Sequence, residues 1–125
     1  MNVTASIPWL RVADLERSRA FYEQGFGMEL LIDQGDCLLL GTGGGVYLGL
    51  CKRPDPRETP GLLLCFIDED IEARTELLVE CGAILEQPVQ RNETYSIVHS
   101  FLRDPDGHRL EIQRFLDPEW HRPVR

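Results

Sequence analysis

The chain has 125 residues, 42% of them apolar and 27% charged, which is enough to bury one core and too apolar for a disordered segment. Acidic residues outnumber basic ones 21 to 13, and the net charge of −8 repels a phosphate backbone and an anionic membrane surface alike, so nucleic-acid binding is excluded as the main activity. No stretch approaches the roughly 20 apolar residues that span a bilayer, and residues 1–6 lack the basic-then-apolar order of a leader, so a cytoplasmic protein without a membrane partner is expected.

Ile7 to Val12 reads as a first strand, and Asp14 as the N-cap of a helix with Leu15, Phe21, Tyr22 and Phe26 on one face. Gly25 and Gly27 stop that helix, and strands are predicted at about Met28 to Asp33, Asp36 to Gly41 and Val46 to Lys52. After a Pro-rich stretch, about 54–60, the order repeats. Leu62 to Ile67 is a strand, Asp68 a cap, and the next helix buries Ile71, Leu77, Leu78 and Cys81 before Gly82. Strands follow at about Ile84 to Gln90, Tyr95 to Arg103 and His108 to Arg114, the last two joined by an Asp104-Pro105-Asp106-Gly107 turn. Ile7 with Leu62, Val12 with Ile67 and Gly27 with Gly82 mark a weak period of 55. The pattern is an α+β fold of two βαβββ modules in a single domain over residues 1–125, with module 1 at about 1–53, the linker, module 2 at about 61–116 and a tail at 117–125.

The four cysteines, Cys37, Cys51, Cys65 and Cys81, form no C-x-x-C pair and read as buried structural thiols. Asn2 and Asn92 open Asn-x-Thr sequons, which matter only in a secreted protein. Gly41-Thr42-Gly43-Gly44-Gly45 lacks the Lys-Ser/Thr of a phosphate-cradling loop, and there is no Gly-x-Ser-x-Gly elbow, so nucleotidase and serine hydrolase readings fall away.

Leu10-Arg11-Val12-Ala13-Asp14 leading into Phe21-Tyr22 and Gly27, with Asp104-Pro105-Asp106-Gly107-His108-Arg109-Leu110-Glu111 near the end, resembles the vicinal-oxygen-chelate superfamily of glyoxalases, extradiol dioxygenases, fosfomycin-resistance enzymes and bleomycin-resistance proteins. The resemblance covers nearly the whole chain. It implies that each module is a curved mixed sheet with an outer helix, forming a half-open cup around a ligand, commonly in a homodimer. It also implies a divalent metal held by His and Glu. Here Ile7 and Leu62 stand where the His residues are expected, Gly49 or Leu48 stands where some members have a Glu, and Glu111 is the one ligand retained. One carboxylate does not hold Mn, Fe, Ni or Zn tightly, so no metal or other cofactor is expected. His108 lies in the hairpin and His121 in the tail; His99 alone stands on a strand that could face the cup.

Strand parity then predicts the cup lining, because residues two apart share a face. With Ile7 inward, Trp9 and Arg11 follow. Leu62 brings Leu64 and Phe66; Gly49 brings Tyr47 and Cys51; and Phe101, set opposite Glu111, brings His99 and Arg103. Trp9, Arg11, Tyr47, Phe66, His99, Phe101 and Glu111, with Trp120 of the tail as a lid or dimer contact, are the expected ligand-binding residues. An Arg11–Glu111 ion pair is one expected arrangement; Glu111 and His99 are the catalytic candidates if the protein is an enzyme. Three readings stay open: a metal-independent protein that binds or sequesters a small aromatic or cationic molecule, as the bleomycin-resistance branch does; a metal-dependent lyase, isomerase, dioxygenase or thiol transferase using Glu111; and a structural or regulatory homodimer.

Overall fold

In a computed structural model, residues 1–56 and 61–120 are described, so much of the expected linker and residues 121–125, His121 among them, lie outside the description. Two four-stranded mixed sheets form. The first contains β1 (Trp9–Val12), β2 (Glu29–Asp33), β3 (Cys37–Gly41) and β4 (Tyr47–Lys52) in the order β1-β4-β3-β2, with α1 (Leu15–Phe26) between β1 and β2. The second contains β5 (Leu64–Ile67), β6 (Ile84–Asn92), β7 (Ile97–Arg103) and β8 (Arg109–Phe115) in the order β5-β8-β7-β6, with α2 (Ile71–Glu80) after β5. Each sheet closes by a parallel pair, β1 on β4 and β5 on β8, so both are the expected βαβββ modules.

Local chemistry sets the helix ends. The Asp14 carboxylate accepts the Arg17 N–H at 3.1 Å, and Gly27 takes the left-handed φ of 71° that lets its N–H and that of Met28 return to Glu23 and Tyr22. α2 begins two residues later than expected. Asp70 is its N-cap, while Asp68 accepts the Asp70 N–H at 2.9 Å and the Arg74 guanidinium at 2.7 Å. Both helices bury their apolar stripes in one cluster shared by the modules, from Leu10, Leu40 and Leu50 to Leu78, Leu102 and Ile112. Phe26 and Phe66 meet across the junction with centroids 4.3 Å apart, and a Cβ on Gly25 would come within 2.7 Å of Leu78, so the two helices approach closely there.

One seam between the modules is fastened by polar side chains. The β7–β8 turn, with Gly107 at φ 90°, presents Asp106, whose carboxylate accepts the Ala13 N–H (3.1 Å), the Arg17 guanidinium (2.8 Å) and the Ser18 hydroxyl (3.1 Å) at the start of α1. Asp104 accepts the buried Tyr22 hydroxyl at 2.6 Å, and His108 Nε2 donates to the Arg11 carbonyl at 2.7 Å. Burial, reinforced by Asp104, pushes the Tyr22 phenol well above its usual value; burial also raises Asp104, against the lowering effect of the Tyr22 hydroxyl and His108.

The cysteines differ from expectation. Cys37 and Cys51 face each other on β3 and β4 and are joined as a disulfide, Cys65 is exposed and Cys81 partly exposed. Their positions, equally far from the β3–β4 turn on opposite strands, bring the first two thiols together.

Candidate functional site

A cluster of buried polar side chains lies on the face of the module 2 sheet turned away from the helices, the cup face. Glu111 on β8 is paired opposite Phe101 on β7, as the turn predicts, and opposite Cys65 on β5. His99, two residues before Phe101, therefore shares Glu111's face, and its Nδ1 lies 2.6 Å from the Glu111 carboxylate. Gln113 donates to the same oxygen at 3.1 Å. Both His99 and Glu111 are 6% exposed, so their bond forms in a poorly solvated place where it is strong and its loss costly. Phe101 meets the imidazole edge-on at 4.9 Å and carries the Arg109 guanidinium 5.7 Å from its centroid on the way to solvent. Burial, and then the Glu111 carboxylate, push the Cys65 thiol up to about 12. Cys65 is thus held as a neutral thiol.

His99, Phe101, Glu111 and Gln113 line a cavity of about 640 Å³, with Gln87, Gln90, Tyr95 and Phe115 around them, while Cys65 lines a second cavity. His99 spends Nδ1 on Glu111; its Nε2 makes no hydrogen bond among the described residues, and no buried side-chain nitrogen or oxygen there lacks a partner, so Nε2 is open to the cavity. With Nδ1–H donated to the carboxylate, a neutral imidazole presents a lone pair there. The arrangement accepts an N–H or O–H from a bound molecule, and Glu111 fixes the tautomer that does so.

The module 1 sheet offers different chemistry on the corresponding face. Trp9 is 46% exposed and lies over Gly49, where a Cβ would fall inside the indole. Arg11 is opposite Cys51, and Tyr47 is at the start of β4.

The expected lining is therefore divided. His99, Phe101 and Glu111 come together. Tyr47, Phe66 and Trp120 line a second cavity, of about 730 Å³, between the modules, and Trp9 and Arg11 line neither. Phe66 faces α1 and the core, with Leu64, rather than Glu111; Cys65 and Ile67 take the cup face. The period explains this correction. Trp9 pairs with Gly49 and Cys65 with Glu111, and these equivalent first-strand positions are 56 apart, so a period of 55 turns every β5 side chain to the wrong face. The Arg11–Glu111 pair is absent because the two residues belong to different sheets; Glu111 takes His99 instead. Arg103 turns to Glu86 (2.9 Å) and the Gly107 carbonyl (3.0 Å). Trp120 stacks on Phe115 at 5.1 Å. Gln113 and Cys65 were missed; the corrected register, which places both beside Glu111, is the signal that finds them.

The donors do not fit a resident metal within one chain. Among the described residues no three His, Cys, Asp or Glu side chains gather to hold an ion, and Glu111 is already engaged by two protein donors. Ile7 lacks a lone pair, and so does Leu63, which the 56-residue register puts in its counterpart's place.

The chain belongs to the glyoxalase/bleomycin resistance protein/dioxygenase superfamily, whose model matches residues 2–112. It is 29% identical over 107 residues to the metallothiol transferase FosB of Lysinibacillus sphaericus (strain C3-41), covering 81% of this chain and 74% of that protein. Among solved structures it resembles a glyoxalase-related enzyme from Fulvimarina pelagi, at TM-score 0.76 and 22% identity over 91% of this chain and 88% of that one. It also resembles TioX from Micromonospora sp. ML1, at TM-score 0.74 and 22% identity over 91% of this chain and 100% of that one. These likenesses establish the fold. No helix among the described residues is long and apolar enough to cross a membrane.

Proposed function

We propose that the protein is a binding member of this superfamily, which takes a small aromatic or cationic molecule into the module 2 cavity without a tightly held metal and sequesters it, as a homodimer in the cytoplasm. The observation that supports this reading is the His99–Glu111 bond of 2.6 Å, which commits the retained carboxylate to a protein donor and leaves an imidazole acceptor toward the cavity. Phe101 and Phe115 supply aromatic walls, and the net charge of −8 favours a cation over an anion. The ligand is held by its N–H or O–H on His99 Nε2 and by stacking, with no covalent step. The Cys37–Cys51 bond pulls against a reducing compartment, so the cytoplasmic assignment implies that this pair is reduced there.

The second reading, a metal-dependent thiol transferase, has the FosB relative in its favour. Calorimetric titration with Mn²⁺, Ni²⁺ and Zn²⁺ separates the two. The binding reading expects no micromolar metal binding, together with saturable thermal stabilisation by planar aromatic amines that Phe101→Ala removes. About one metal per chain, lost in Glu111→Ala, overturns it in favour of the transferase.

A further inference from the structure

The β3–β4 and β7–β8 turns have the same length and the same closing bond, Thr42 N–H to Val46 O at 3.0 Å and Asp104 N–H to His108 O at 2.9 Å. Thr42 to Val46 therefore match Asp104 to His108 residue for residue. Gly45 and Gly107 both take positive φ, 83° and 90°, and Thr42 accepts the Gly44 N–H as Asp104 accepts that of Asp106. The three side chains that fasten module 2 to α1, Asp104, Asp106 and His108, thus have Thr42, Gly44 and Val46 as counterparts. Among the described residues none of these three bonds to α2. One seam is locked, and at the other the corresponding space is the cavity of about 730 Å³, with Thr42 and Val46 on one side and Asp68, Glu69 and Arg74 on the other.

We infer that this open seam is a second binding site, distinct from the module 2 cavity, and that it takes an aromatic organic cation. Its walls are aromatic: Phe26 and Phe66 from the core side and Trp120 from the segment after β8. Its charge is set by three groups. Asp68 and Arg74 neutralise each other at 2.7 Å, and Arg74 spends a second nitrogen on the Gly25 carbonyl at 2.6 Å. Glu69 is left. Its carboxylate makes no ion pair or hydrogen bond among the described residues, the nearby Arg114 reaching only its carbonyl at 3.4 Å. The cavity therefore carries one net negative charge beside aromatic faces, the combination that recognises an ammonium borne on an aromatic body.

The test is calorimetric titration of the full chain at pH 7 with 2-phenylethylammonium, its uncharged counterpart 2-phenylethanol and the anion 3-phenylpropionate. The ammonium is expected to bind saturably and about fivefold or more tighter than the alcohol, with the anion weakest. Glu69→Gln removes most of that preference and Trp120→Ala weakens the ammonium about tenfold, and both effects persist in a Phe101→Ala background, where the module 2 cavity has lost one of its aromatic walls. Absence of saturable binding in the millimolar range, equal binding of alcohol and ammonium, or loss on Phe101→Ala with Glu69→Gln unaffected would each overturn the inference. The last of these would place the ligand in the module 2 cavity and leave the proposed function standing.

Discussion

The cup faces of the two sheets place very different residues on equivalent backbone positions. In module 1 the rung Trp9–Gly49–Leu39 carries no polar side chain, and the next is Arg11–Cys51–Cys37, closed by a disulfide. In module 2 the same rungs are Cys65–Glu111–Phe101 and Ile67–Gln113–His99. A carboxylate replaces the glycine beneath the tryptophan, and an imidazole replaces a half-cystine. The fold tolerates both sets because the helix-facing rows, which share one core, are apolar in each module. The buried carboxylate and imidazole stand in one copy, while the other is cross-linked and capped by an indole.

Breaking the cross-link gives the largest expected change. Cys51→Ser removes a bond that closes a loop across a sequence separation of 14, and should lower stability by about 2–4 kcal/mol in urea unfolding, matched by reduced wild type. Identical midpoints for oxidised and reduced protein would show that module 1 is not held this way. Gly49→Ala should cost about 1–3 kcal/mol because the new methyl displaces Trp9. Most of that loss should vanish in a Trp9→Ala background, a coupling that a double-mutant cycle measures directly.

In module 2, Glu111→Gln should cost about 1 kcal/mol, since the amide keeps an acceptor for His99 but loses the charge. The same substitution sharpens the comparison through Cys65. Burial and then the Glu111 carboxylate push the thiol up from 9.0 to about 12, so iodoacetamide should alkylate it slowly at pH 8; removing the Glu111 charge lowers the thiol and should speed the reaction. An unchanged rate would mean that burial alone holds the thiol neutral. The sign for stability follows. A thiol raised on folding contributes stability that is complete below pH 9.0 and is lost as the pH climbs through about 12, and Cys65→Ser should flatten that alkaline limb.

Much of the fold was legible because its signals are local: the Asp14 cap, the αL glycine after α1, the Asp-Pro-Asp-Gly turn and the helical stripes. That turn also fixed the Phe101–Glu111 pairing, and with it His99 on the same face. The rest was set by register and by packing between sheets. A slip of one residue in the repeat sent Phe66 to the cup and Cys65 to the core, the reverse of their places, because side chains alternate along a strand. Parity within a strand also says nothing about which sheet faces which, so Arg11 was matched with Glu111 although they sit in separate sheets. The Tyr22–Asp104 bond joins residues 82 apart and has no local signature at all.

The central claim is that Glu111 is committed to His99, and the ¹⁵N shifts of the His99 imidazole at pH 8, identified with His99→Gln, test it most directly. The account predicts a protonated Nδ1 and a bare Nε2, unchanged by one equivalent of Zn²⁺. A protonated Nε2 with bare Nδ1, or signals that move on adding the metal, would contradict it.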